Sequence, residues 1–268
     1  MINNFSKYFL FAQKTWEETL TFRFNFLMWR FRNVLQLLTF YFLWQAVFPQ
    51  NATIGTYDKS QIITYVLAIS LVRSIVFSNR SFAIGEEINS GMLSNYLIKP
   101  INYFMYWFSR DIGDKAMNIA FVIVEISLLI ILLKPELFIQ TNISYFLLAT
   151  IAIVLAIIAY FILNALLEMI GFWTSEVWAP RFIFMIVITF LAGGLFPLDL
   201  APKSIYTILQ FLPFTYLLYF PVKIYLGQIP QDQIFAGFAI LIFWSFVLVL
   251  ILKYMWSKGL KVYTAYGK

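Results

Sequence analysis

Apolar positions along this chain gather into long, nearly unbroken runs, separated by short stretches where polar and charged residues crowd together. The runs are Val34–Phe48, Gln61–Phe77, Ile112–Leu133, Ile143–Gly171, Phe182–Phe196 and Gln233–Leu252. A helix rises about 1.5 Å per residue and the hydrocarbon core of a bilayer is about 30 Å thick, so about twenty residues cross it. The pattern therefore predicts six transmembrane helices and an all-α integral membrane fold. The first run is short, and the reading extends it back by tilt through Phe24–Phe31. The fifth is short too, broken by Gly193, Gly194 and Pro197. Tyr103–Phe108 reads as a separate aromatic run at the membrane surface.

Residues 1–32 follow a different rule. Phe5, Tyr8, Phe9, Ala12, Trp16, Leu20, Phe24 and Leu27 recur near helical spacing, while Lys7, Gln13, Lys14, Glu17 and Glu18 fall mostly off that stripe. Such a helix suits the plane of the interface, an elbow leading into the first span, with a ragged start of that span as the other reading. Residues 197–231 are half apolar and punctuated by Pro202, Pro213, Pro221, Gly227 and Pro230. Broken backbone at membrane depth survives only when packed in protein or lining a cavity. The expectation is a pair of external re-entrant helices dipping into one leaflet.

Composition agrees. The chain is 62% apolar and 12% charged, where soluble domains are about half apolar and a quarter charged. Of nineteen Lys and Arg, only Lys59, Lys134, Lys203 and Lys223 fall on one side of the six-span layout. The other side, with both termini, is then cytoplasmic. A full crossing by 209–225 would throw the basic tail outside, which favours six spans over seven. The net charge of +6 sits at segment ends, so anchoring accounts for it and no nucleic-acid partner is expected. There is no Cys and no His, which removes thiol and imidazole chemistry and the common metal ligands. No Gly-rich loop ends in Lys-Ser or Lys-Thr, so no nucleotide cradle is present. Catalytic, cofactor-binding and metal-binding residues are expected to be none, over a single transmembrane domain 1–268.

Ser81–Asn102 stands apart. Ile84, Ile88, Met92 and Tyr96 recur at i+4, with Leu93 and Leu97 beside them and Gly91 interrupting. Glu86 and Glu87 are expected to point away, toward water or a partner, and Pro100 ends the helix after Lys99. Two readings stay open: a helix seated in a partner's groove, or one lying on the inner leaflet with its acids solvated. Among membrane-depth polar groups, Glu125 costs about 2.5–3.5 kcal/mol on insertion scales and needs a reason. It either lines a pathway, pairs across a dimer, or pairs with a Lys, Asn or Tyr of the same subunit. Asp114 with Lys115, and Glu168 with Arg181, are expected as ion pairs. Asn118 and Asn164 are expected as interhelical hydrogen-bond partners. Trp107, Trp173, Trp178 and Trp256 suit an interfacial belt.

The run from Ile88 through Gly91 and Leu93 to Leu97, Lys99 and Pro100 resembles the "I-x-x-G-x-L-x-x-x-L-x-(R/K)-P" segment of ABC type-2 exporter permeases. Gly194-Leu195-Phe196-Pro197-Leu198, Pro202, Leu212-Pro213-Phe214, Pro221 and Gly227 resemble a second run of that family, after its fifth span. Lys99 stands where Arg is commoner, which keeps the charge and loses the planar fork. The resemblance implies a permease subunit of an ATP-driven exporter in the cell membrane, the inner membrane of a bacterium. It would pair with a second permease, identical or similar, above two ABC ATPase subunits that bind the ATP and Mg. It implies that residues 81–100 form the coupling helix, with Ile84, Glu86, Glu87, Ile88, Gly91, Met92, Leu93, Tyr96, Leu97, Lys99 and Pro100 serving the ATPase contact. Glu125, Asn118, Phe196, Pro197, Pro213 and Phe214 would be pathway or gate residues. The alternatives are a secondary transporter driven by an ion gradient, or a membrane scaffold that docks a cytoplasmic partner.

Overall fold

A computed structural model of the chain describes residues 4–48 and 53–265. The side chain of Phe5, the start of the 49–60 loop and Lys268 lie outside the described residues. The helices are α1 (Asn4–Thr21), α2 (Arg23–Val47), α3 (Lys59–Val76), α4 (Ala83–Asn89), α5 (Ser94–Leu97), α6 (Tyr103–Leu133), α7 (Ile143–Glu168), α8 (Trp178–Leu191), α9 (Lys203–Gln210), α10 (Tyr219–Tyr225) and α11 (Gln231–Val262). No strand occurs among the described residues. Four helical stretches are long and apolar enough to cross a membrane: Lys59–Val76, Tyr103–Leu133, Ile143–Phe172 and Gln231–Val262.

Helix starts are set locally. Asp58 accepts a hydrogen bond from the Gln61 amide at 2.8 Å, while the Gln61 side chain reaches back to the Asp58 amide at 3.1 Å. This reciprocal cap fixes the start of α3. Asn102 and Asn142 cap α6 and α7 without a reciprocal bond, their side chains accepting from the Met105 and Ser144 amides.

The core forms around α7. Ala149, Ala152, Ala156 and Ala159 are buried at helical spacing on one face of it. Small side chains let neighbouring backbones approach, the usual basis of helix association in a lipid environment. α10, α11 and α3 all pack against α7.

Several expectations change here. The first break comes at Phe22, so Arg23–Arg32 belong to α2 rather than to an elbow ending at residue 32. Tyr103–Phe108 is not a separate run: it opens the 31-residue α6. Asn102 supplies the cap, and no Gly or Pro stops the helix from running on. Its Trp107 is buried within the protein. The segment 81–100 is two short helices, not one. Gly91 takes φ 77° between them, a conformation a side chain would strain.

In 197–231, α9 and α10 have eight and seven residues. At about 12 and 10 Å, neither crosses a bilayer. α10 is buried along nearly its whole length. Lys223 is buried with it, so it is no solvated loop charge. Its ammonium meets Asp199 at 2.7 Å, and Tyr57 donates to the same carboxylate at 2.9 Å.

Candidate functional site

Two polar clusters are candidate sites, and α6, α7 and α8 contribute to both. The first is the segment between α3 and α6. Ile84, Ile88 and Leu93 point inward and are fully or nearly fully buried. α4 lies against the end of α7 so closely that a Cβ on Gly85 would sit 2.3 Å from Glu168 Oε2. A side chain there would have to push the Glu168 carboxylate aside. Glu168 is held by Arg181 of α8 through two hydrogen bonds of 2.9 and 2.8 Å. Arg181 also donates to the Phe82 carbonyl at 2.8 Å and meets Glu86 at 3.4 Å. This is the expected Glu168–Arg181 pair, extended to α4.

Glu87 departs from expectation. It is buried, because the start of α6 folds over it: Tyr103 Oη donates to Glu87 at 2.6 Å and Trp107 Nε1 at 3.2 Å. Burial pushes its carboxyl above the usual carboxylate range, and the hydrogen bonds from Tyr103, Tyr96 and Trp107 partly oppose that rise. From the far end of the chain, Tyr263 donates to the Gly91 carbonyl at 2.6 Å and accepts from the Ser94 amide at 2.9 Å. What remains outside is a tip. Met92, Leu97 and Ile98 are 50%, 47% and 83% exposed, with Lys99 and Pro100 exposed beside them. The sequence stripe thus divides, Ile84, Ile88 and Leu93 gripping the protein while Met92, Leu97 and Ile98 face out.

The second place is a cavity of about 930 Å³ between α2, α3, α6, α7 and α8. Glu125 and Asn118 line it. Arg30 clamps Glu125 through two hydrogen bonds of 2.6 and 2.5 Å, and donates to Asn118 at 2.9 Å and Ser74 at 3.1 Å. The partner of Glu125 is therefore an arginine, not a Lys, Asn or Tyr. Arg30 is 5% exposed. A buried bidentate pair on two helices holds them in register, because removing either side strands a charge.

The Asp114–Lys115 pair does not form. Asp114 meets Arg80 at 2.9 Å and Lys115 meets Asp111 at 3.1 Å, since neighbours on a helix point about 100° apart while i and i+4 align. Asn118 bridges helices as expected, but Asn164 donates within its own helix to Tyr160. Phe196, Pro197, Pro213 and Phe214 do not line the cavity. Phe196 and Phe214 pack against the apolar core, and Pro197 and Pro213 are buried.

The sequence profile of a family described as ABC-2 family transporter protein matches residues 34–267. The chain belongs to that family. It matches no curated protein. Membership makes it a membrane protein of ABC-2 transporters, a class that in general associates with ABC ATPase partners. In this ABC-2 chain the residues that periodicity missed are those whose partners lie far off in sequence: Arg30, Tyr103, Trp107 and Tyr263. Trp107 sits in the aromatic run Tyr103–Phe108, where nothing local names Glu87 as its partner. Tyr263 carried no signal either.

Proposed function

We propose that the chain is the permease subunit of an ATP-driven ABC exporter. In this reading α2, α3, α6, α7, α8 and α11 are six spans, α1 is the interfacial elbow, and α9 with α10 is an external re-entrant cap. Both termini are cytoplasmic and the membrane is the cell membrane. The 81–100 segment docks in a groove of a separate ATPase subunit, which carries the ATP and Mg. A second permease, identical or similar, completes the pathway and brings a second ATPase.

One observation carries the coupling role. An apolar tip of Met92, Leu97 and Ile98 projects from a segment held at once by α6, α7, α8 and α11. A surface helix floating on lipid has no use for so many fixed attachments. A segment that transmits displacement does, because each attachment passes the movement of its tip to a different span. The ATPase would then favour one arrangement of the spans through differential affinity. The bidentate hold of Arg30 on Glu125 disfavours a carboxylate relay for an ion gradient.

The test uses Ile98→Asp in the complex. Its expected outcome is retained membrane assembly with loss of transport-linked ATPase stimulation. Unchanged stimulation would sink the docking role. Single cysteines on this Cys-free chain check the layout: Ser90→Cys and Lys261→Cys should label from inside, Asp58→Cys and Lys203→Cys from outside.

A further inference from the structure

The cavity holds an imbalance of charge. Five arginines line it: Arg30, Arg32, Arg73, Arg80 and Arg181. Three are matched by carboxylates, Arg30 by Glu125, Arg80 by Asp114 and Arg181 by Glu168. The remaining acid in the lining, Glu18, is paired with Arg110. Arg32 and Arg73 are left. Among the described residues neither forms an ion pair or a side-chain hydrogen bond, and Arg32 only lies over the Trp29 ring at 4.2 Å. Both guanidinium groups line the same cavity. A protein that matches every other cavity arginine yet leaves two like charges facing one space has built a site for something negative.

The shape of the space says what kind of anion. From Phe77 to Tyr65 the cavity follows α3 for twelve residues, about 18 Å. Above the arginines its wall becomes apolar, with Leu37, Phe40, Val66, Ile69, Phe184 and Leu195. The exposed residues Trp29, Trp178 and Phe182 form its rim, so it opens between α2 and α8. A small inorganic anion would leave the apolar length empty. A neutral drug would leave the arginines unmatched.

We propose that this cavity binds an anionic amphiphile from the membrane, its phosphate or sulfate headgroup between Arg32 and Arg73 and its chain running toward Tyr65 and Leu195. The assignment rests on the permease reading for its orientation. Arg73 lies one turn from the cytoplasmic end of α3, so the headgroup enters at the level of the inner leaflet. The binding itself involves no ATPase.

The test is tryptophan quenching of the purified full-length chain in nanodiscs of zwitterionic lipid. The probe is dodecyl phosphate brominated on its chain. Trp29 and Trp178 report from the rim, and Trp29→Phe with Trp178→Phe should remove most of the saturable signal. Binding should weaken about tenfold in Arg73→Gln and in Arg32→Gln, as expected for losing one charge-assisted contact. Arg73→Lys should keep most of it. Should Arg73→Gln fail to fold, Arg32→Gln, at an exposed rim position, carries the test alone. Three results would overturn the proposal: equal binding of a brominated dodecyltrimethylammonium, affinity unchanged in the Gln variants, or displacement of the probe by inorganic phosphate alone. So would an oligomer that dissociates in the double Gln variant while amphiphile binding is unaltered, which would give the arginines to a second copy. Loss of ATPase docking in Ile98→Asp leaves this measurement untouched, so the two readings fail separately.

Discussion

Two regions of this molecule share a sequence grammar and fold to opposite ends. Residues 81–100 and 197–231 both connect apolar helices, both are broken by glycine or proline, and both form helices of eight residues or fewer. Yet α4 and α5 end in an exposed apolar tip at Met92, Leu97 and Ile98, while α10 is buried from Tyr219 to Ile224. The difference lies in what each anchors. The first hangs from polar and aromatic attachments at its edges, leaving one side free. In the second, α10 is packed against α7 and α3 with Lys223 paired to Asp199 inside, while α9 before it keeps Ile205 and Ile208 exposed. A short helix can thus be a handle or a plug, and burial, not length or composition, separates them.

That contrast can be broken from either side. The largest effect is expected in the plug. Asp199→Ala strands the buried Lys223 ammonium and should cost about 3–5 kcal/mol, read as a large drop in thermal unfolding temperature in detergent. Next comes the joint between handle and body. Gly85→Val drives a side chain into Glu168 and should cost about 1–3 kcal/mol by overpacking; ATPase stimulation should fall with it. A smaller effect attends Glu87. Its folded carboxyl titrates above the ordinary range because it is buried. Its protonated form therefore favours folding, and that contribution is full below the ordinary range and fades as pH rises through the raised value. Glu87→Gln should flatten that part of a stability-against-pH profile, and an unchanged slope would contradict the burial argument. The smallest stability effect belongs to the tip, where Ile98→Asp should stay within about 0.5 kcal/mol while abolishing coupling.

The spans were legible in sequence because lipid imposes one rule, apolar runs of sufficient length, and four of the runs are helices long enough to cross. Glu168 and Arg181 were legible as a pair since each ends a run, on facing sides of one short turn. The interior of the 81–100 segment was not. Its i+4 stripe suggested a single apolar face, but periodicity knows nothing of Gly91 at positive φ or of Tyr103 and Trp107 arriving to cover Glu87. Arg30 failed for a related reason. An arginine near the start of a run looks like an anchor until the carboxylate opposite it, 95 residues away, comes into view. The cavity's two unmatched arginines were invisible too, since a charge is known to lack a partner only after every neighbour has been placed.

Tyr263 has a practical corollary. Its single hydroxyl closes both sides of the Gly91 turn, so Tyr263 acts as a latch on the handle. Shortening the tail to Val262, or fusing a bulky reporter directly after Tyr263, should release that latch. A tag placed there for convenience would then give an assembled but idling transporter, and Tyr263→Phe would reproduce the idling without any tag.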